Sequence, residues 1–325
     1  MYRLSIALAI VLGLAVLAPS VGAAKYAGDP FTLGAGARGL ALGGAVVAGP
    51  FDATAAYWNP AGMHFSHGRA VSAMHAETFG DLLNHDFVSF VDADPNRGSR
   101  FLAYGFYFYY LGGGGIKITD IDPVTQRFIV VSEESHADVL LAGSVSGRLN
   151  DAIDFGLTAK VIHRDIGTES GQGLTVDIGF LHQVSPNVRL GLMVSDATSG
   201  FIRYSGKTND RGANVEAIYP TVKPGIMVSR RWRDFGGSLL ASGDIKFEDL
   251  GEAAQFDAGS LSLDSHLGLE LDYRTMFFGR LGLDIGRFTA GAGIDLRNIS
   301  LDLAYLHHDD LDETFRVSAA YRWGN

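Results

Sequence analysis

The sequence contains no cysteine among its 325 residues. This absence excludes disulfide bonds, thiolate metal sites and cysteine nucleophiles. Basic residues are also few, because 26 lysines and arginines stand against 36 aspartates and glutamates, and the formal net charge is −10. The basic residues form no cluster, so we expect no nucleic acid partner.

Long hydrophobic runs are missing after residue 24, since no later stretch approaches about 18 consecutive apolar residues. The sequence therefore predicts no transmembrane helix. Residues 1–24 have the pattern of a secretory signal peptide: Arg3 gives a short basic start, residues 4–18 are apolar, and small residues allow cleavage after Ala23 or Ala24. Export, together with 42 glycines, 20 phenylalanines and 12 tyrosines, favours an all-β protein with many turns.

From residue 68 onward, apolar and polar residues alternate with a period of two, which is the pattern of β-strands. In one segment Phe288, Ile294 and Leu296 share a face, while Thr289 and Asp295 share the other. Many such segments have the roughly 9–11 residues that a tilted strand needs to cross a bilayer. We predict fourteen strands, at 68–77, 85–93, 99–110, 137–149, 152–164, 172–184, 187–196, 219–232, 235–247, 262–273, 276–284, 287–296, 299–307 and 313–323.

The connections differ in length between the two ends of the predicted sheet. The short turns at one end are 150–151, 185–186, 233–234, 274–275 and 297–298, and the long loops at the other are 111–136, 197–218 and 248–261. The first loop is long enough for a hairpin of its own, 116–121 with 127–131. Short periplasmic turns and long extracellular loops are typical of outer-membrane barrels.

A soluble β-sandwich or β-solenoid would also alternate, but nearly every strand here has an apolar face and the chain carries an export signal. The sequence therefore predicts an antiparallel transmembrane β-barrel of about 14 strands over residues 68–325. It would lie in the outer membrane of a diderm (Gram-negative-type) bacterium, with lipid and the barrel assembly machinery as partners.

The two faces of such a barrel meet different surroundings, since polar residues line the lumen and apolar residues contact lipid. We expect Asp154, Lys160, Asp244, Glu270 and Asp302 to face the lumen, and Leu157, Ile178, Leu269 and Leu301 to face lipid. The segment 101–110, FLAYGFYFYY, has aromatic residues on both faces. We predict that Tyr104, Phe106 and Phe108 face the lumen, where they pack against the N-terminal segment or line an apolar ligand site.

The segment between the signal peptide and the first strand is rich in glycine and alanine, especially over 34–62. Small residues allow close approach of backbones, while Leu40, Leu42 and Trp58 require burial. A flexible linker is the alternative. We predict that residues 25–67 form a hatch, or plug, inside the barrel, with Arg38 paired to a lumen carboxylate such as Asp154 or Glu270.

Two motifs of this segment, GARGLALGGA at 36–45 and AAYWNPAG at 55–62, resemble the N-terminal motif of the PorV/PorQ family, which belongs with the FadL-like outer-membrane transport proteins. LDLAY at 301–305 and HDDL at 308–311 resemble the C-terminal end of the family. The resemblance implies a fourteen-stranded barrel with an internal hatch. It marks as hatch-motif residues Arg38, Gly43, Gly44, Trp58, Asn59, Pro60, Ala61 and Gly62.

The resemblance implies two functions. FadL-type members take up hydrophobic compounds, so the first hypothesis is passage of hydrophobic small molecules across the outer membrane. PorV serves type IX secretion, so the alternative is a carrier or accessory protein that binds secreted proteins or the secretion machinery at its extracellular loops. A third hypothesis is a barrel enzyme with a Ser/His pair formed across strands.

The sequence offers little support for catalysis or metal binding. His307, His308, Asp309 and Asp310 are residue types that bind metals, but adjacent strand residues point to opposite faces and cannot easily share one ion. No Gly-x-Ser-x-Gly or phosphate-binding glycine motif is present. We therefore expect no catalytic residues, no metal and no cofactor.

Overall fold

The structure is a computed structural model that describes residues 29–66, 68–78, 83–94, 96–97, 100–167, 169–206, 214–247, 254–307 and 313–324. The predicted signal peptide and the residues His308, Asp309 and Asp310 of the rejected metal motif lie outside the described residues. Within the described ranges, no helix is both long and apolar enough to cross a membrane.

In the described part of the chain, seventeen strands form one antiparallel sheet. They are β1 (Gly68–Thr78), β2 (Leu83–Ala93), β3 (Phe101–Ile121), β4 (Phe128–Asn150), β5 (Ile153–Ile166), β6 (Glu169–Ser185), β7 (Val188–Ser195), β8 (Phe201–Gly206), β9 (Asn214–Ala217), β10 (Thr221–Trp232), β11 (Phe235–Lys246), β12 (Phe256–Asp257), β13 (Ser262–Tyr273), β14 (Phe277–Asp284), β15 (Arg287–Leu296), β16 (Ile299–Leu306) and β17 (Thr314–Trp323).

The sheet closes on itself because β1 pairs with β2 on one side and with β17 on the other. Strand β7 pairs directly with β10, and β11 with β13, so β8, β9 and β12 lie outside the ring. The ring therefore has fourteen strands, which confirms the predicted fold class. The five predicted two-residue turns all lie at the end of the barrel where β1 begins and β17 ends, which we call the short-turn end.

Within the predicted loop 111–136, the predicted hairpin of 116–121 with 127–131 is present, because Thr119 pairs with Val130 and Ile121 with Phe128. The prediction of a loop around it was wrong, since the hairpin continues β3 and β4 without a break. Strands β3 and β4 remain paired far beyond their neighbours, because β2 pairs with β3 only as far as Gly112, and β5 pairs with β4 only as far as His136. The register between β3 and β4 shifts near the glycine run, which accommodates the irregular backbone there. The two strands then remain paired beyond it. We call this extension, residues 113–135, the projecting hairpin.

The two faces of the barrel differ as predicted. Asp154, Lys160 and Glu270 are buried inside, whereas Leu157 and Leu301 are exposed on the outside. The outer face is a continuous band of exposed aliphatic side chains, including Val161, Leu174, Leu239, Leu267, Leu281 and Val317. Exposing so much apolar surface to water is unfavourable. A bilayer requires that backbone N–H and C=O groups are hydrogen-bonded within the protein, and the closed sheet meets this requirement. The chain is therefore a transmembrane barrel of the outer-membrane type.

The predicted orientation of the aromatic strand β3 was wrong. Tyr104 and Phe106 are 42% and 55% exposed on the lipid side, and Phe108 shares their face, whereas Tyr107 and Tyr109 are buried in the lumen. On the outside the Phe106 ring stacks on Phe90 at 5.3 Å. Aromatic residues occupy both odd-numbered and even-numbered positions of this strand. The pattern therefore predicts a strand but does not show which of its two faces points into the lumen.

Candidate functional site

Residues 29–66 pack against the inner wall of the barrel through four short helical pieces, which are Asp29–Thr32, Ala37–Ala41, Ala55–Trp58 and Pro60–Ser66. The piece Ala37–Ala41 contacts β14 to β17, while Pro60–Ser66 contacts β2 to β6. The N-terminal segment therefore reaches strands on opposite sides of the ring. Most of its residues from Ala35 to Ser66 are buried.

Glycines of the wall make this close packing possible. A Cβ atom at Gly291 would lie 2.5 Å from Ala41 Cβ, and one at Gly268 would lie 2.8 Å from Leu42 O, closer than real Cβ contacts. The same holds at other inward positions facing the segment, each with a clash below 3.0 Å: Gly105, Gly156, Gly179, Gly191, Gly225 and Gly282. Glycine is thus needed wherever the wall backbone touches the segment backbone. The period of two in the sequence does not distinguish these wall glycines from the other residues of the inner face.

The predicted hatch-motif residues hold the segment in its shape. The buried Asn59 donates from Nδ2 to Val47 O at 2.8 Å, and its Oδ1 accepts from Ala61 N at 3.1 Å. Trp58 Nε1 donates to Ala35 O at 2.8 Å. The bonds to Val47 O and Ala35 O tie the turn around Pro60 to earlier parts of the same segment, and the bond between Asn59 and Ala61 lies within the turn itself. The polar groups buried here are thus satisfied locally.

The glycines of the motif serve the same packing. Gly43 and Gly44 adopt φ values of 64° and 75°, which a residue with a side chain rarely takes. A Cβ at Gly43 would also lie 2.5 Å from Leu283 O of the wall. A Cβ at Gly62 would meet the Phe51 ring at 2.5 Å.

Arg38 connects the segment to the wall by charge. It binds Glu270 through two bonds, Nε to Oε2 at 2.9 Å and Nη2 to Oε1 at 2.7 Å. Arg280 binds the same carboxylate at 2.7 Å and Asp302 at 2.6 Å. Burial alone would lower the pKa of Arg38, but the Glu270 carboxylate outweighs it, and the pKa of the guanidinium lies above its ordinary value. Of the two predicted partners, the structure therefore selects Glu270.

The other predicted partner of Arg38 is occupied elsewhere. Asp154 lies 3.2 Å from Arg148 Nε and 3.5 Å from Nε2 of the buried His64. This group lies beside the piece Pro60–Ser66, on the side of the barrel opposite Glu270.

An aromatic cluster joins the segment to β2 and β3. The Tyr57 ring is stacked with Tyr109 at 6.2 Å and meets the edges of Phe87 and Tyr107 at 6.0 and 5.9 Å. Its hydroxyl donates to Phe31 O at 2.9 Å, and burial raises the pKa of Tyr57, which keeps that donor protonated. Tyr107 and Tyr109 were not predicted as lumen residues, because the sequence does not reveal that Gly105, which shares their parity, faces inward.

The segment separates two cavities in the lumen. The outer cavity, at the end with the long loops, has a volume of about 310 Å³, and the inner cavity, towards the short-turn end, about 290 Å³. Leu40, Gly44 and Trp58 face the outer cavity, whereas Arg38 and Phe51 face the inner one.

The outer cavity has two unlike sides. One side is apolar and is formed by Phe31, Leu40, Tyr57, Trp58, Tyr107, Leu140 and Ile162. The other side carries charges that are largely neutralised in pairs: Lys160 lies 2.7 Å from both Asp177 and Asp196, and Lys223 is paired with Asp244. Because these charges are paired with one another, they attract free ions less strongly. The apolar side therefore offers the larger surface that is free to bind a ligand.

Metal-ligating side chains do not converge in the described residues. No group of three or more His, Asp or Glu among them could hold a metal ion. The nearest arrangement is His266, whose Nδ1 lies 2.9 Å from Asp284 and 3.0 Å from the Gly43 carbonyl oxygen of the segment. The contact with Gly43 anchors the segment to the wall, whereas the contact with Asp284 joins two neighbouring wall strands.

Comparison of the fold with solved structures finds outer-membrane channels. The CymD monoaromatic hydrocarbon channel matches with a TM-score of 0.58 at 12% identity, over 90% of this chain and 98% of that chain. The Pseudomonas putida toluene transporter TodX matches with a TM-score of 0.52 at 11% identity, over 89% and 97% of the two chains. No family model matches the sequence, and no curated protein sequence matches it. The comparisons thus show that this chain shares the fold of these outer-membrane channels, and they leave membership of the FadL-like and PorV/PorQ families a prediction.

Proposed function

We propose that this barrel passes hydrophobic small molecules across the outer membrane, through a lumen that the N-terminal segment closes as a hatch. The apolar side of the outer cavity carries the proposal. Phe31, Tyr57, Trp58 and Tyr107 present aromatic surface to a space that opens towards the long loops. Its volume of about 310 Å³ is at the lower end of the usual range for ligand pockets.

The structural neighbours add support of a different kind. CymD and TodX are described as a monoaromatic hydrocarbon channel and a toluene transporter. At 12% and 11% identity a shared fold does not carry a shared substrate, so the proposal depends on the cavity first. We infer that the substrates are small apolar or aromatic compounds and that the protein is not an enzyme.

The position of the segment between the two cavities supports the hatch role. A molecule in the outer cavity meets Leu40, Gly44 and Trp58 before it can reach the inner cavity at Arg38 and Phe51. Passage along the lumen therefore requires the segment to move. The contacts that would have to break first are those of the Arg38–Glu270 pair.

Ligand binding can be measured with Trp58 as the reporter. The chain has 3 tryptophans, and replacing Trp232 and Trp323, which lie on the outer surface, with phenylalanine leaves Trp58 in the cavity wall. We expect toluene to change the Trp58 emission saturably. Ile162→Phe, which fills the cavity, should weaken binding, whereas Val161→Phe on the lipid face of the same strand should not.

Transport is then tested in a diderm host that lacks its own hydrocarbon channels. Expression of the protein should increase uptake of labelled toluene, and Ile162→Phe should reduce the increase at equal barrel content of the outer membrane. If Trp58 does not respond to toluene and uptake equals that of the empty host, the proposed function is contradicted.

A second candidate function, a carrier for secreted proteins, is favoured by the projecting hairpin. Val124 is 87% and Phe128 78% exposed at its tip, beyond the part of the barrel that meets lipid. Exposed apolar tips are common at protein-binding sites. Deleting 116–131 and joining the ends with two glycines should abolish co-purification of cell-surface proteins if this function is correct, and should leave toluene binding unchanged.

A further inference from the structure

A groove on the outer face of the barrel is lined by apolar residues. It has a volume of about 530 Å³ and crosses β10, β11, β13, β14 and the start of β15. Its lining includes Ile226, Val228, Leu239, Ala241, Leu267 and Leu281. These side chains share the outward face of their strands, so the groove opens towards lipid and is separate from the two cavities of the lumen.

Towards the short-turn end, the groove is followed by a row that contains one arginine and two glycines. Val228 pairs with Leu239 in the groove, and the next outward-facing pair along the same two strands is Arg230 with Gly237. Two strands further around the ring, the same row contains Gly279. A Cβ at Gly279 would have no atom within 4 Å, and the atom nearest to one at Gly237 would lie at 3.3 Å. The outer surface beside Arg230 is therefore open down to the backbone.

Arg230 faces lipid without an acidic partner. It is exposed and shares the outward face of β10 with Val228. Among the described residues it has no ion pair, because the nearby Asp272 and Asp234 are bound by Arg231 and Arg274 at 3.0 and 3.4 Å. A cation on the lipid face is unfavourable in the middle of a bilayer, whereas at headgroup level it can bind phosphate.

The row beyond Arg230 indicates that it lies near headgroup level. Trp232, Phe235, Tyr273 and Phe277 are all exposed on the outer face there, and aromatic residues form girdles at the two membrane interfaces. The guanidinium of Arg233 lies over the Trp232 ring, 5.6 Å from its centroid, and adds a second cation without an ion pair in the described structure. Short turns of such barrels lie on the periplasmic side, so both cations face the inner leaflet of the outer membrane.

Another outward-facing arginine near the same end is neutralised within the protein. Arg69 lies 3.1 Å from Asp92, which Arg97 also approaches to 2.9 Å. The end of the β10–β11 hairpin differs because Arg230 and Arg233 carry two positive charges that no described carboxylate balances. A phosphate group complements a guanidinium in both charge and geometry. An acyl chain attached to a phosphate at Arg230 would enter the groove, which begins in the adjacent row.

We propose that the outer face of β10, β11, β13 and β14 binds one anionic phospholipid of the inner leaflet, with its phosphate at Arg230 and an acyl chain in the apolar groove. The inference goes beyond the proposed function, because it concerns the lipid-facing surface and neither cavity of the lumen. The two unbalanced cations favour a headgroup with a net negative charge over a zwitterionic one, whose own cation they would repel.

Trp232 serves as the reporter of lipid at this site, because its ring lies on the same outer face beside Arg233. In the variant Trp323→Phe the other tryptophan is Trp58, which faces the lumen. This variant is reconstituted in phosphatidylcholine that contains a small fraction of phosphatidylglycerol or phosphatidylcholine with brominated acyl chains, which quench tryptophan emission. We expect phosphatidylglycerol to occupy the site about fivefold more strongly than phosphatidylcholine, which corresponds to about 1 kcal/mol.

Substitutions then assign the preference to Arg230. Arg230→Gln should make quenching by the two brominated lipids equal, and Arg230→Lys should retain part of the difference because it keeps the charge. The matched control is Arg69→Gln, which removes an outward-facing arginine from β1 and should leave the preference at Trp232 unchanged. Heat-modifiable gel migration confirms that each variant is a folded barrel.

Native mass spectrometry of the detergent-purified protein tests the groove. We expect the parent protein to retain one added phosphatidylglycerol per chain. Ala241→Phe fills the groove and should reduce this retention, whereas Ala73→Phe on the outward face of β1 should not.

The outcomes bear on this site alone. Equal quenching by the two lipids in the parent barrel, or a preference that survives in Arg230→Gln, overturns the role of Arg230. Retention that is unchanged in Ala241→Phe overturns the groove as the acyl-chain site. A dimer without bound lipid would show that a second copy covers this face, and it would contradict the proposal. Each of these results leaves toluene binding and uptake, and thus the proposed function, untouched.

Discussion

Replacement of Arg38 by glutamine should loosen the N-terminal segment without unfolding the barrel. The wild-type side chain makes two charge-assisted bonds to Glu270, at 2.7 and 2.9 Å. Arg280 stays 2.7 Å from the same carboxylate, so the variant does not leave Glu270 unpaired. Each hydrogen bond to a charged group contributes about 1.5–3 kcal/mol to stability. Because Arg280 still binds Glu270 in the variant, we expect the segment to lose the equivalent of one such bond.

The assay for this prediction is single-channel recording in planar bilayers. Each 1.4 kcal/mol changes an equilibrium by about a factor of ten, so openings of Arg38→Gln should be roughly ten to a hundred times more frequent than those of the wild type. Arg69→Gln is the matched control, because Arg69 pairs with Asp92 at 3.1 Å but is largely exposed. Exposed pairs contribute about 0–1 kcal/mol, so this variant should behave as the wild type.

A double-mutant cycle sharpens the test. Glu270→Gln removes the anion and leaves both Arg38 and Arg280 short of a partner, so its effect should exceed that of Arg38→Gln. The double variant should open less often than the sum of the single effects predicts, because both substitutions act on one interaction. If Arg38→Gln opens no more often than the wild type, the ion pair does not hold the segment and the reasoning is refuted.

Three further predictions concern the packing of the segment. Gly282→Val should reduce the yield of heat-modifiable barrel, because its Cβ would clash with Gly43 N and overpacking costs about 1–3 kcal/mol. The control Gly279→Val on the same strand should fold normally, because no atom lies within 4 Å of its Cβ. Tyr57→Phe should lower the thermal midpoint in detergent by removing a buried hydrogen bond of about 0.5–1.5 kcal/mol, and the lipid-facing Tyr104→Phe should not. Deletion of 34–57 should raise single-channel conductance while the heat-modifiable barrel persists; unchanged conductance would count against a hatch.

The strands of the ring could be predicted from the sequence because lipid on one side and a polar lumen on the other impose a period of two on every strand. The limits of that signal are seen at β3. Its aromatic residues occupy both faces, so the pattern does not show whether Phe106 or Tyr107 points inward. The structure decides this through Gly105, which contacts Met63 of the N-terminal segment, and a periodic pattern does not reveal such a contact. The length of the projecting hairpin was missed for a similar reason, because a glycine run is typical of loops as well as of bulged strands.

The site was less predictable than the fold, because its contacts join residues far apart in the chain. Arg38 and Glu270 are separated by 232 positions, and the alternative Asp154 had the same charge and the same inward parity. The choice between them depends on which strands each helical piece touches.

The two halves of the N-terminal segment differ in the polar contacts that they make with the wall, and this limits how a hatch can move. Both halves pack closely on wall glycines, Pro60–Ser66 near Gly156 and the stretch after Ala37 near Gly291. The half around Ala37–Ala41 is held in addition by the Arg38–Glu270 pair and by the bond from Ala37 N to Ser318 Oγ at 2.8 Å. Polar bonds at the edge of a cavity can be exchanged for bonds to water, whereas close apolar packing has no such substitute. We therefore expect the half before Asn59 to be displaced when a molecule passes, while the turn from Asn59 to Gly62 remains bound to the wall.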